Sequence, residues 1–202
     1  MTQTLRTLDD LVAARLVAEN ARAALEPVAE RYAIAATPAM DTLIKRDDPI
    51  DPIRLQFIPD PREVIVTKNE VDDPIGDFAH SPLQGLVHRY PDRVLVKLTH
   101  ICPVYCRFCF RREMVGPGKG DALSEEKLEA IYAYIEAYPE IWEVIVTGGD
   151  PLILSLRRIE AFTSSLAKIT HIKVLRWHSR VPSVDPSLVS DELSRALVAA
   201  GK

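Results

Sequence analysis

From Arg93 onward the chain alternates short apolar runs with helical patterns, and this alternation restricts the fold more than any other feature. Val94–Leu98, Glu143–Thr147 and Ile172–His178 read as strands. A helix candidate starting at Ser124 runs to about Tyr138, with Glu125 and Glu126 at its positive dipole end and Leu128, Ile131 and Ile135 along one face. A second covers Ser155 to Ile169, with Ile159, Phe162, Leu166 and Ile169 inward. A third runs from about Ser190 to Ala200, and Gly201 suits its C-terminal cap. Strands separated by helices pair in parallel, because the return crossing consumes the intervening residues. The pattern predicts an α/β chain with three βα units.

The first ninety residues read differently. Leu5 to Ala36 is rich in helix formers, Thr7 suits an N-cap, and Leu8, Leu11, Val12 and Leu16 recur at helical spacing. Pro27 should start a new helix or kink this one. Thr37-Pro38 opens a short helix through Lys45, and Asp51-Pro52 repeats that signature before Ile53 to Phe57. Pro59 to Pro82 is Pro- and Asp-rich, with one short strand candidate at Glu63–Thr67. The expected division is a helical extension over residues 1–90 and an α/β core over 91–202.

With 202 residues, 47% of them hydrophobic, the chain can bury a sizeable core. A net charge of −4 gives no basic field for nucleic acid, and no apolar run approaches the ~20 residues of a membrane span. Residues 1 to 10 lack the apolar stretch of a secretory signal.

Its three cysteines, Cys102, Cys106 and Cys109, all lie within eight residues. Such a cluster with no distant partner argues for metal binding in a reducing compartment, here expected to be the cytoplasm, rather than for disulfides. The C-x3-C-x2-C spacing follows the first strand directly, on the end of a parallel sheet that carries chemistry. Three thiolates would leave one iron of a 4Fe-4S cube open to a small molecule. Competing readings are a zinc site with His100 as fourth ligand, or cysteines packed on one helix face. Thr147-Gly148-Gly149-Asp150 ends the second strand; its glycines let backbone approach a ligand and Asp150 can pair with an ammonium, or the segment is simply a turn. Arg89, Tyr90 and Arg93 offer two guanidiniums and a phenol suited to a phosphate, or they form a solvated turn.

The cysteine triplet resembles the signature of radical S-adenosylmethionine (SAM) enzymes. More closely, His88-Arg89-Tyr90-Pro91-Asp92-Arg93 and Cys102-Pro-Val-Tyr-Cys106-Arg-Phe-Cys109-Phe-Arg111-Arg112 resemble the lysine 2,3-aminomutase family. So do Asp51 to Pro59, Thr147 to Leu152 and Arg176 to Pro182. The resemblance implies a partial (β/α)6 radical-SAM barrel, about half of it present, behind an N-terminal helical extension. It implies a 4Fe-4S cluster on Cys102, Cys106 and Cys109, with SAM held at Gly148, Gly149 and Asp150. Pyridoxal 5′-phosphate would be gripped by Arg89, Tyr90 and Arg93, and a substrate carboxylate by Arg111. Beside these, Tyr105 and Phe108 could contact adenine or pack, and His178 and Arg180 could reach the cofactor, unless His178 is a satisfied core histidine. By family chemistry the reduced cluster cleaves SAM, and the radical formed drives 2,3-amino migration on lysine. An electron donor such as flavodoxin or ferredoxin and a homo-oligomeric full-length form are further implications.

One family element is missing. The lysine that carries pyridoxal phosphate sits in a Gly-rich C-terminal segment, and none of the chain's lysines, from Lys45 to Lys202, lies in that context. Lys97 lies inside the first strand, where a desolvated amine could be tuned, or it points away from the sheet interior. The expected function is therefore a lysine 2,3-aminomutase-type isomerase lacking its C-terminal half. Alternatives are an enzyme of elongation factor P lysine modification, a glutamate aminomutase, or an inactive fragment that binds the cluster. Half a barrel should leave the third strand's outer edge unpaired, a liability in solution.

Overall fold

The computed structural model describes residues 3–120, 122–199 and 201, so Met1, the expected helix end at Ala200, and Lys202 lie outside them. The extension contains α1 (Leu8–Ala13), α2 (Arg22–Arg31), α3 (Pro38–Leu43) and α4 (Arg54–Phe57). Thr7 caps α1 in a reciprocal box with Asp10, and Thr37 caps α3 with Pro38 at its first position. Leu11, Leu16, Leu25, Ile34 and Ile58 pack into a core belonging to the extension itself. No new helix starts at Pro27, which lies inside α2 with the buried Leu25 and Val28 holding that turn in the core.

The strand expected at Glu63–Thr67 does not form. Asp60 caps a 3-10 turn over Pro61–Val64, and the Glu63 carboxylate accepts in return from the Asp60 N–H. The capping box fixes a turn where hydrophobicity alone suggested extension.

The sheet has four strands in the order β1 (Leu86–Tyr90), β2 (Arg93–Thr99), β3 (Glu143–Gly148) and β4 (Val174–Trp177). The β2–β3 and β3–β4 pairs are parallel, as the alternation requires, and the crossovers are α5 (Glu125–Ala137) and α6 (Leu156–Ala167). Ser124 and Ser155 cap these helices. A one-turn helix α7 (Val181–Val184) and then α8 (Asp191–Val198), capped by Ser190, complete the described chain. This mixed α/β sheet is consistent with a partial β/α barrel.

The unforeseen strand is β1. It pairs antiparallel with β2 through Leu86↔Val96 and Val87↔Leu95, so the sheet takes in residues that the sequence division placed in the extension. His88-Arg89-Tyr90 belongs to this edge strand, and Pro91-Asp92 makes the hairpin turn.

Side chains alternate across the sheet. Val94, Val96, Leu98, Val144 and Val146 meet Ile131, Ile135, Phe162 and Leu166 in the main core. The opposite face carries Lys97, Thr99 and Thr147, all nearly buried. At the start of the strands, Glu143 is bracketed by Arg93 at 3.4 Å and Arg176 at 2.5 Å, which closes that end with paired charge. Among the described residues β4 has no partner beyond β3.

Gly148 and Gly149 show why two small residues end β3. Gly148 has φ +109°, and an added Cβ would stand 2.6 Å from Thr99 O. At Gly149 a Cβ would collide with Ile101 O and stand 2.7 Å from Ile101 N. The segment leaving β2 passes directly over them, joined by Gly149 N–H to Thr99 O at 2.6 Å and Asp150 N–H to Ile101 O at 2.9 Å. Gly149→Ala should therefore destabilise the chain by about 3 kcal/mol, the upper range for overpacking. Denaturant titration checks this, and an unchanged midpoint would mean the two segments separate freely.

Candidate metal and cofactor site

The same backbone bonds deliver the cysteine loop to the end of β2. The extension then cradles it: Tyr105 N–H donates to Ala35 O at 3.2 Å and Arg107 N–H to Gln56 O at 2.8 Å. Val104 and Tyr105 are buried against α3, α4 and residues 33–36. The Arg107 guanidinium donates to Ala33 O and clasps the Glu63 carboxylate at 2.6 Å, both side chains being nearly buried. The loop is thus clamped between extension and sheet, and neither piece alone would shape it.

Cys102, Cys106 and Cys109 are free thiols that line one cavity of about 510 Å³, together with Thr147, Gly148, Gly149 and Asp150. Burial pushes the Cys102 thiol up to about 12, helped by Asp150 and the neighbouring sulfurs. Burial also raises Cys106, with the Arg180 guanidinium pulling the other way. Buried thiols of this kind ionise when a cation such as iron accepts the thiolate. Among the described residues no three His, Cys, Asp or Glu side chains converge on a single ion. A cube asks for something different, one thiolate on each of three irons. His100 does not line the cavity; its Nδ1 is hydrogen-bonded with Met114 O at 2.8 Å, which leaves zinc without its fourth ligand. The donor set fits an iron–sulfur cluster.

Asp150 borders the cavity, but its carboxylate is already engaged. Oδ1 accepts from Leu152 N–H at 3.1 Å and Ser179 Oγ at 2.7 Å, and Oδ2 from Arg180 N–H at 2.7 Å and Val181 N–H at 3.2 Å. Four donors fill the lone-pair sites of one carboxylate. Asp150 ties the loop after β4 to the end of β3, and a ligand ammonium would have to displace one of these bonds.

Arg89, Tyr90 and Arg93 are not brought together. Arg93 is committed to Asp92 at 2.8 Å and to Glu143, at the opposite end of β2 from the cysteines. Tyr90 is 55% exposed. Arg89 turns to the carbonyl of Ile75 and to Asp77. The three residues do not make a phosphate grip, and Lys97 is not free to anchor an aldehyde, because its Nζ lies 3.5 Å from Asp77. Pyridoxal phosphate does not fit these residues.

Asp77 was not legible as a site residue. Its side chain is 2% exposed and is met by Lys97 at 3.5 Å, Arg111 at 3.3 Å and Arg89 at 3.5 Å. Asp73 caps the turn that presents it, accepting from Asp77 N–H at 2.9 Å and Phe78 N–H at 2.7 Å. Arg111 also borders the cavity, with its guanidinium 4.5 Å from the Phe110 ring centroid. Of the remaining candidates, His178 lines the cavity, Tyr105 packs, and Phe108 is 64% exposed.

The radical SAM superfamily matches residues 96–201. The L-lysine 2,3-aminomutase of Bacillus subtilis (strain 168) is 36% identical over 197 residues, 98% of this chain and 42% of that protein. That of Clostridium subterminale is 37% identical over 164 residues, 81% of this chain and 39% of the relative. That of Methanococcus maripaludis is 33% identical over 180 residues, 89% and 41% of the two chains. The chain spans about two-fifths of the length of these relatives.

Proposed function

The chain belongs to the radical SAM superfamily, and from that premise we propose that it is the cluster-bearing part of a lysine 2,3-aminomutase-type isomerase. The observation that carries this reading is three free cysteines on one clamped loop, facing one cavity with the Gly148-Gly149-Asp150 turn. Superfamily membership implies a 4Fe-4S cluster and SAM. When bound and reduced, the cluster supplies the electron that cleaves SAM.

The other tasks fall to the protein. Cys102, Cys106 and Cys109 hold the cluster, and Gly148 and Gly149 let the segment leaving β2 cross close above the end of β3, which shapes the cavity wall beside them. We assign Arg111 to the carboxylate of an amino acid, lysine by likeness to the relatives' names, because it borders the cavity while Asp77 fixes its Nε edge. Val104, Tyr105 and Val115 wall off water. A flavodoxin- or ferredoxin-like donor would supply electrons. Pyridoxal phosphate dependence and 2,3-amino migration belong to a longer protein, since the residues here do not hold that cofactor. No helix is long and apolar enough to cross a membrane among the described residues.

Anaerobic reconstitution should load about four irons per chain, the cube's stoichiometry. The reduced cluster should then cleave SAM slowly, and incubation with lysine and both cofactors should yield no β-lysine from the 202 residues. Stoichiometric zinc without iron–sulfur absorption would overturn the cluster, and β-lysine would point to Lys97 as an anchor after all.

A further inference from the structure

Four arginines border the cavity, and three of them are ion-paired with a carboxylate. Arg107 is paired with Glu63 at 2.6 Å, Arg111 with Asp77 at 3.3 Å and Arg112 with Glu70 at 3.3 Å. Arg180 is different. Its Nη1 donates to Cys106 Sγ at 3.1 Å and its Nη2 to the neutral Gln56 Oε1 at 3.1 Å. Among the described residues no carboxylate lies within 4.0 Å of its guanidinium, whose positive charge is permanent. We propose that Arg180 is the positioning residue that sets the reduction potential of the cluster, through its charge and its bond to the Cys106 sulfur. This rests on the cluster reading above.

The geometry holds that charge still. The Arg180 backbone N–H is bound to Asp150 at 2.7 Å, and Val181 and Ser179 on either side are bound to the same carboxylate. The guanidinium carbon stands 5.7 Å from the Phe57 ring centroid and 5.6 Å from that of Phe108. Aromatic faces exclude water and favour a cation. Gln56 and Phe57 come from α4, whose Gln56 O also receives the Arg107 N–H, so the extension grips the cysteine loop and its cation together.

The physical consequence has one sign. Reduction transfers one electron from an external donor to the cluster, with no bond made or broken, and adds one negative charge to the cluster and its thiolates. A fixed cation on a thiolate sulfur stabilises the reduced form more than the oxidised one. Charge and hydrogen bonds at the sulfurs are recognised levers on such potentials. Arg180 therefore raises the potential and makes the cluster easier to reduce.

The test is an EPR-monitored potentiometric titration of the anaerobically reconstituted chain, with dithionite as electron source and no SAM added. In Arg180→Gln the reduced-to-oxidised ratio, read at the wild-type midpoint, should fall about ten-fold, which is about 59 mV for one electron. Arg180→Lys keeps the charge and should recover most of the shift. An Arg180→Gln midpoint equal to wild type at equal iron content overturns the proposal. If Arg180→Gln takes up no iron, Gln56→Leu decides, because it frees the guanidinium without touching a ligand. A more negative midpoint there supports the assignment, and an unchanged one overturns it. Absence of iron in the wild-type chain as well would defeat the cluster reading and the proposal with it.

Discussion

Cys106→Ala should lower bound iron from about four per chain to below about one, on the cube's stoichiometry. Every cysteine of the chain lies on the loop, so none remains in reserve. Losing one thiolate would open a second iron corner to solvent. The substitution should leave the fold intact. Cys106 packs only partly against Ala36, Met40, Phe57 and Val104, and the loop is held by backbone bonds and by Arg107–Glu63. Iron and sulfide analysis after anaerobic reconstitution, alongside far-UV circular dichroism, separates lost ligation from lost fold. A folded Cys106→Ala chain that retained four irons would refute the ligand assignment.

Asp77→Ala should cost about 3–5 kcal/mol, the usual effect of removing one partner from a buried ion pair. Here one carboxylate faces Lys97, Arg111 and Arg89, and the two arginines cannot shed their protons to escape the site. For a chain of this size the melting temperature should fall by roughly 6–20 °C, at about 2–4 °C per kcal/mol. The excess cations invite a chemical test. Acetate or phosphate in the buffer should restore more of the melting temperature in Asp77→Ala than it adds to wild type, because a small anion can enter the vacated place. Calorimetry with and without anion reads both effects. An unchanged melting temperature would mean that water, not Asp77, balances these cations.

The two predictions differ in how visible their residues are along the chain. The cysteines announce themselves by spacing, which is local, and the following strand–helix pattern locates them on the chemically useful end of a parallel sheet. Asp77 sits in a Pro- and Asp-rich stretch where acids normally face water, and its three partners come from β1, β2 and the cysteine loop. No window of sequence contains that cluster. β1 was hidden for a related reason: only Leu86 and Val87 are fully buried in it, and its polar His88 and Arg89 read as a binding loop. Edge strands need just one buried end to join a sheet. The same placement moved Arg93 from a supposed phosphate contact to the charged closure at Glu143.

Periodicity and capping residues, which act over three or four positions, were enough to specify α5, α6 and α8, the parallel pairing of β2, β3 and β4, and the loop that bears the cysteines. Residue chemistry was enough to single out the three cysteines that the structure places on one cavity. The roles of Gly149, Asp150, Asp77 and Arg180 arose only when distant segments met. Gly149 is required by the backbone of Ile101 crossing above it, and Asp150 is filled by donors from the loop after β4. Arg180 keeps an uncancelled charge because its neighbour in space is Gln56 rather than an acid. Close packing, burial and charge pairing are properties of three-dimensional neighbours, and sequence order carries almost no information about which residues those will be.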